Sequence, residues 1–168
     1  DESTLLDRTK KFAQVIFTTT LDGCSVKSKK IRPIGHGIDV ARFTPKSAVE
    51  NLKKEPIRFL YAGKITPIKN VHILVDATRI LKNSWEKKFF VDIVGPPTTS
   101  DYDRKLRAYI VEKGLSDVVK MHGRAPYSEM PAYYKRADAV VNMCPTGGMD
   151  KTVLEGLASR TLAVVANE

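Results

Sequence analysis

The segment PTGGMDKTVLEGLA, residues 145–158, joins two glycines and an aspartate to a short apolar-periodic run carrying one carboxylate, Glu155. Glycines let an anion approach the backbone closely. The first N–H groups of a helix have no partner within it, so such a start is suited to a phosphate group. Gly147, Gly148, Met149, Asp150, Lys151, Thr152 and Val153 are the candidate residues for that role. The phosphate reading leaves Glu155 unexplained, since a carboxylate repels an anion. No metal chemistry is visible. His36, His72 and His122 stand alone, Cys24 and Cys144 lie far apart, and no Cys, His, Asp and Glu cluster has metal-ligand spacing.

The elements that must position this loop follow from alternation along the chain. IRFLYAG (residues 57–63) and FFVDIVG (89–95) are short, nearly continuous apolar runs, each closed by glycine. VVKMHG (118–123), ADAVVNM (137–143) and TLAVVA (161–166) repeat the pattern. Helical periodicity fills the gaps. Val71, Leu74, Ala77 and Leu81 form one stripe, flanked by Ile73 and Ile80. Ser100 with Asp103 predicts a capped helix ended by Gly114, and Ser128 predicts the cap of a helix whose inner face holds Met130, Tyr133, Tyr134 and Ala137. Strands buried on both faces and alternating with helices predict an α/β, Rossmann-like parallel sheet covered by helices on both sides. Ligands of such sheets sit beyond the carboxyl ends of the strands. Gly63, Gly95, Gly123 and the 145–150 loop all fall on that edge.

The first 35 residues read differently. QVIFTTT and KKIRPIG are strand candidates, but the basic stretch between them is irregular, so residues 1–35 are expected to be the tail of a preceding domain and a hinge. Residues 36–168 are expected to form the ligand-binding domain, cut short at its C-terminal end, since a helix should follow the last strand. Residue 1 is not methionine, which leads to the expectation of a fragment or a processed chain. The composition, 42% hydrophobic over 168 residues, is that of a globular domain. No apolar run reaches the roughly 18 residues of a membrane span. Two distant cysteines fit a reducing compartment, with a single disulfide as the alternative, and the expected localisation is cytoplasmic. The net charge of +9 is scattered in pairs such as Lys10-Lys11 and Lys87-Lys88. Scatter of that kind suits solvated faces, phosphate-bearing ligands or an anionic membrane surface, with the protein peripheral to its inner face. No recognition motif accompanies the charge, so nucleic acid is not an expected partner.

Three stretches taken in order carry a more specific pattern: IGHGIDVARFTP (34–45), YAGKITPIKNVHILVDA (61–77) and GGMDKTVLEGLA (147–158). Together with VVKMHGRAPYSEMPAYYKRADAVV between the last two, they resemble the nucleotide-sugar glycosyltransferases of family four, retaining enzymes of the two-domain GT-B fold. The resemblance runs from about residue 31 onward and covers the C-terminal, donor-binding half. It implies a nucleotide-diphosphate sugar as donor and metal-independent transfer without a cofactor. The acceptor site would lie on an N-terminal domain outside this chain.

The same resemblance gives individual residues their roles. Lys64 and Lys69 would reach the donor diphosphate and stabilise the leaving group. Relatives usually carry Arg at the first position, so a bidentate fork is replaced by a point charge. Outside that context both would be solvent-facing lysines on a turn. Glu155 would accept hydrogen bonds from the ribose hydroxyls; the competing role is a T-x-x-E capping box with Thr152. Gly147 stands where relatives place a first glutamate near the transferred sugar. Asp150 either replaces that acid or caps the helix. Backbone groups of Gly123, Arg124 and Ala125 would meet the base, and Gly95, with Pro96 and Pro97, would line the crevice. Arg124 is equally readable as a surface arginine. The expected function is therefore glycosyl transfer by the intact enzyme, with this part alone binding donor weakly and not turning over. A non-catalytic sugar-nucleotide-binding module is the alternative, motivated by Gly147. A two-domain sugar-nucleotide epimerase is a third reading, and it would need other acids in the cleft.

Overall fold

The computed structural model describes residues 8, 10–21, 24, 26–45, 56–144 and 150–166. The chain divides into two compact units, Asp1–Gly37 with Thr146–Lys151 and Ile38–Pro145 with Thr152–Glu168.

In the first unit, β1 (Ile16–Thr18) and β2 (Ile31–Pro33) pair in parallel, with Ile16 opposite Ile31. The Lys30 ammonium ties the preceding segment down by donating to the carbonyls of Lys10 (3.1 Å) and Ala13 (2.7 Å).

The second unit is a five-stranded sheet in the order β5-β4-β3-β6-β7, with every pairing parallel. Its strands are β3 (Ile57–Ala62), β4 (Phe89–Val94), β5 (Val119–Gly123), β6 (Ala139–Asn142) and β7 (Leu162–Val165). The helices between them are α1 (Val71–Ser84), α2 (Ser100–Glu112), α3 (Met130–Arg136) and α4 (Lys151–Ala158). This is the Rossmann-like α/β architecture that the alternation of the sequence predicts. Among the described residues, no helix is long and apolar enough to cross a membrane.

Side chains alternate across the pleat, so each strand feeds two cores. Tyr61, Val91, Ile93 and Val141 pack with Val71, Leu74 and Val75 of α1 and Leu106 and Ile110 of α2. Leu60, Ala62, Val94 and Val140 pack on the other face with Tyr134, Ala137 and Phe43. The GxDxxRF motif explains how Phe43 reaches that core. Asp39 accepts the Arg42 N–H with its side chain (3.1 Å) and the Phe43 N–H with its carbonyl (2.9 Å), and the resulting turn drives a fully buried Phe43 inward.

Three local expectations are corrected. Thr99, not Ser100, caps α2, its hydroxyl accepting from the Tyr102 N–H at 3.2 Å. Asp103 is then free of any capping box and pairs with Arg107 one turn on, at 2.8 Å. Ser128 lies inside a 3-10 turn, Tyr127–Glu129, that runs directly into α3, and the α3 cap residue is Glu129 without a side-chain bond. The buried stripe of α1 is Val71, Leu74, Val75 and Thr78, while Ala77 is exposed. Thr78 is tolerated there because its hydroxyl donates to the Leu74 carbonyl at 2.7 Å.

One buried polar group links three strands. Asp92 of β4, 6% exposed, meets His122 Nε2 of β5 at 2.5 Å and Arg58 Nη1 of β3 at 3.8 Å. Asp92→Ala removes the acceptor of a half-buried imidazole, and a lost buried partner costs about 1–3 kcal/mol. The expected result is an unfolding free energy lowered by that amount, read as a lower denaturant midpoint at an unchanged slope.

Candidate functional site at the carboxyl edge of the sheet

Gly63, Gly95 and Gly123 end β3, β4 and β5 and stand side by side. The Gly63 N–H donates to the Val94 carbonyl (3.0 Å) and the Gly95 N–H to the Gly123 carbonyl (2.8 Å). All three have positive φ, +149°, +150° and +73°. The need is sharpest at Gly95, where a Cβ would overlap the carbonyl oxygen of Gly63. The pairing of β4 with β5 also shifts register between Ile93 and Val94, which sets the Gly123 turn beside Gly95.

Lys64 and Lys69 lie on the connection from β3 to α1, at this same edge. Lys64 is exposed and Lys69 half-buried. The backbone beneath them is tied at several points. The Tyr61 hydroxyl donates to the Lys64 carbonyl at 3.0 Å. Ile65, fully buried, forms a parallel bridge with Pro97: its N–H donates to the Pro96 carbonyl (2.9 Å), and its carbonyl accepts from the Thr98 N–H (2.9 Å) and hydroxyl (3.2 Å). Pro67–Lys69 is a 3-10 turn closed by Asn70 in the left-handed conformation, φ +51°. That turn fixes where α1 begins.

Glu155 sits one turn inside α4 and is 4% exposed. Its Oε1 accepts from the Tyr127 hydroxyl at 2.8 Å and its Oε2 from the Tyr134 hydroxyl at 2.9 Å. The capping-box alternative therefore fails: Thr152 is already the second residue of α4, and the carboxylate faces two tyrosines remote in sequence. A carboxylate offers about four acceptor positions, so two remain. The next residue explains the close seating of α4. A Cβ on Gly156 would approach Val140 Cγ1 to 2.6 Å, so only glycine lets the helix lie this near β6.

The sheet thus brings Gly63, Lys64, Lys69, Gly95 and Gly123 to one edge. Tyr127 links Glu155 to the turn that follows β5. In that turn Arg124 is exposed, while Ala125 is half-buried against the Phe43 core. Thr152 and Val153 are half-buried in the first turn of α4, Lys151 is exposed, and Asp150 immediately precedes it. Gly147, Gly148 and Met149 lie outside the described residues. Among those described, no group of three or more His, Cys, Asp or Glu could hold a metal ion. Sequence reasoning missed Tyr127, Tyr134 and Arg42. The two tyrosines converge on Glu155 with no short-range signal, because the contacts span 28 and 21 residues, and Arg42 joins only through the Tyr127 ring.

Comparison with known proteins gives the family to which this fold belongs. Residues 43–168 match the family model described as glycosyl transferases group 1, and the chain belongs to that family. It is 31% identical over 144 residues to the lipopolysaccharide core biosynthesis mannosyltransferase LpcC of Rhizobium leguminosarum bv. viciae, covering 80% of this chain and 39% of that one. Among solved structures it is similar to Anabaena HepE in complex with UDP and glucose, with a TM-score of 0.78 at 16% identity, covering 97% of this chain and 47% of that one. It is also similar to the C-terminal domain of a glycosyl transferase group 1 family protein (LpcC) from Francisella tularensis, with a TM-score of 0.65 at 21% identity over 77% of this chain and 70% of that one. The chain spans about a third of the length of the curated relatives it matches.

Proposed function

We propose that this chain is the donor-binding half of a retaining, family-four glycosyltransferase of the GT-B fold. In this reading it grips a nucleotide-diphosphate sugar at the carboxyl edge of its sheet. The observation that supports the reading is the placement of Lys64, Lys69 and three positive-φ glycines at the strand ends, in a chain of the glycosyl transferases group 1 family whose Glu155 is buried behind the turn after β5. Lys64 and Lys69 neutralise the diphosphate as the bond from the sugar C1 to the phosphate oxygen breaks and the electron pair leaves with the nucleotide. Glu155 accepts from the ribose hydroxyls, and the turn Gly123–Arg124–Ala125 borders the base. The N–H groups of Thr152 and Val153, in the first turn of α4, serve the sugar and its phosphate. Such a site needs no metal, because lysine charge takes that part.

In the full-length protein residues 1–35 would belong to the neighbouring, acceptor-binding domain and hinge. The basic surface would favour an anionic membrane face from the cytoplasmic side. Gly147 in place of an acid favours a second reading, a sugar-nucleotide-binding module without turnover. A panel of sugar nucleotides given to the full-length protein decides between them.

The donor reading is tested by calorimetric titration with uridine, guanosine and adenosine diphosphates. One of the three should bind, and Lys69→Ala should weaken it about tenfold or more, as expected for losing a charge-assisted contact. Lys64→Arg, which restores the fork, should bind at least as well as wild type. Binding that is indifferent to Lys69→Ala would remove the assignment.

A further inference from the structure

We propose that Tyr127 and Tyr134 are positioning residues for Glu155, fixing its carboxylate so that the site distinguishes ribose from deoxyribose. The proposal rests on the donor-site reading above and adds roles for two residues to which the sequence pattern gave none.

The geometry is that of a clamp. Each carboxylate oxygen takes one phenolic O–H, which orients the group and leaves each oxygen one further acceptor position. Tyr134 is the fixed jaw. Its ring is completely buried, it meets Phe43 edge-on at 5.6 Å, and its own carbonyl accepts from the Thr161 hydroxyl at 2.9 Å. Tyr127 is the outer jaw, 47% exposed at the turn after β5. Its ring packs against Phe43 at 5.7 Å and lies under the Arg42 guanidinium, 5.1 Å from the ring centroid. Burial raises the Tyr134 hydroxyl far above its ordinary value, and the neighbouring Glu155 charge raises it further. Burial and the bond to Glu155 shift Tyr127 the same way. Both phenols therefore stay protonated and can only donate to the carboxylate.

Without its jaws, a glutamate with three rotatable bonds would sample several directions, and a ribose hydroxyl would have to select one. A clamped acceptor gives up that freedom in advance. The added selectivity should then depend on the hydroxyl that is present or absent on the sugar, and not on the phosphates.

The experiment compares the protein with its Tyr127→Phe and Tyr134→Phe variants by calorimetry. Three probes are used: the nucleoside diphosphate that binds best, its 2′-deoxy counterpart, and inorganic pyrophosphate. Wild type should prefer the ribonucleotide by about tenfold, the worth of one hydrogen bond to a charged group. Tyr127→Phe should shrink that ratio about threefold or more and leave pyrophosphate binding unchanged. Tyr134→Phe is read in the same way wherever its denaturation curve remains cooperative. An unchanged ratio in Tyr127→Phe overturns the proposal. So does tighter ribonucleotide binding, which would make Tyr127 an occupant that the ligand displaces. If no nucleoside diphosphate binds wild type, the donor-site reading falls and this proposal falls with it.

Discussion

Gly95→Ala should remove about 4 kcal/mol of stability, a large share of what a domain of this size holds. Two costs combine. At φ +150° an L side chain is strained, by about 1–3 kcal/mol. The added Cβ also overlaps the carbonyl oxygen of Gly63, which is backbone and cannot swing aside, and forcing extra volume into a packed site costs about 1–3 kcal/mol more. Relief would require β3 and β4 to part where the Gly63 N–H meets the Val94 carbonyl. Gly37→Ala is the matched control, since a Cβ there meets nothing within 4 Å and no unusual φ is needed; it should change stability by no more than about 1 kcal/mol. Urea denaturation of the two variants reads both. A Gly95→Ala midpoint equal to wild type would mean that the two strand ends do not approach as described.

Glu155 should give the largest effect on ligand binding. On the donor-site reading, Glu155→Ala removes the acceptor proposed for the ribose hydroxyls, and it strips the fully buried Tyr134 hydroxyl of its partner. Bonds to a charged group contribute about 1.5–3 kcal/mol each, so nucleoside diphosphate affinity should fall about 10- to 100-fold. Stability should fall as well, by about 1–3 kcal/mol for the orphaned phenol. Glu155→Gln separates the two effects. The amide keeps the shape and one acceptor oxygen, while its nitrogen can donate to a tyrosine oxygen, so the fold should be nearly untouched and the nucleotide should still bind weakly. Full affinity in Glu155→Gln would place the ribose elsewhere.

The sheet was legible because its strands are buried on both faces and end in glycine, which leaves little else that IRFLYAG or FFVDIVG could become. Caps were legible only to within a residue. Thr98, Thr99 and Ser100 are all competent caps, and the choice of Thr99 is made by how α2 must enter the packing against Leu106 and Ile110. The α1 stripe was misplaced because counting apolar residues favours Ala77 over Thr78, although a threonine that bonds its own helix buries at little cost. The candidate site divides in the same way. Lys64, Lys69 and the glycines are read from local spacing and family pattern. The partners of Glu155 come from the turn after β5 and from α3, and no window of sequence places a residue at 127 or 134 beside one at 155.

The bridge between Ile65 and Pro97 bears on how the site would respond to an arriving anion. With Ile65 sunk in the core and its amide and carbonyl both engaged, the stretch beneath Lys64 gives up its wandering when the polypeptide folds. Capture then asks little further ordering of the main chain there. Swift docking of a diphosphate, with its thermal signature governed by ion desolvation and not by loop closure, is what such a prepaid scaffold would yield.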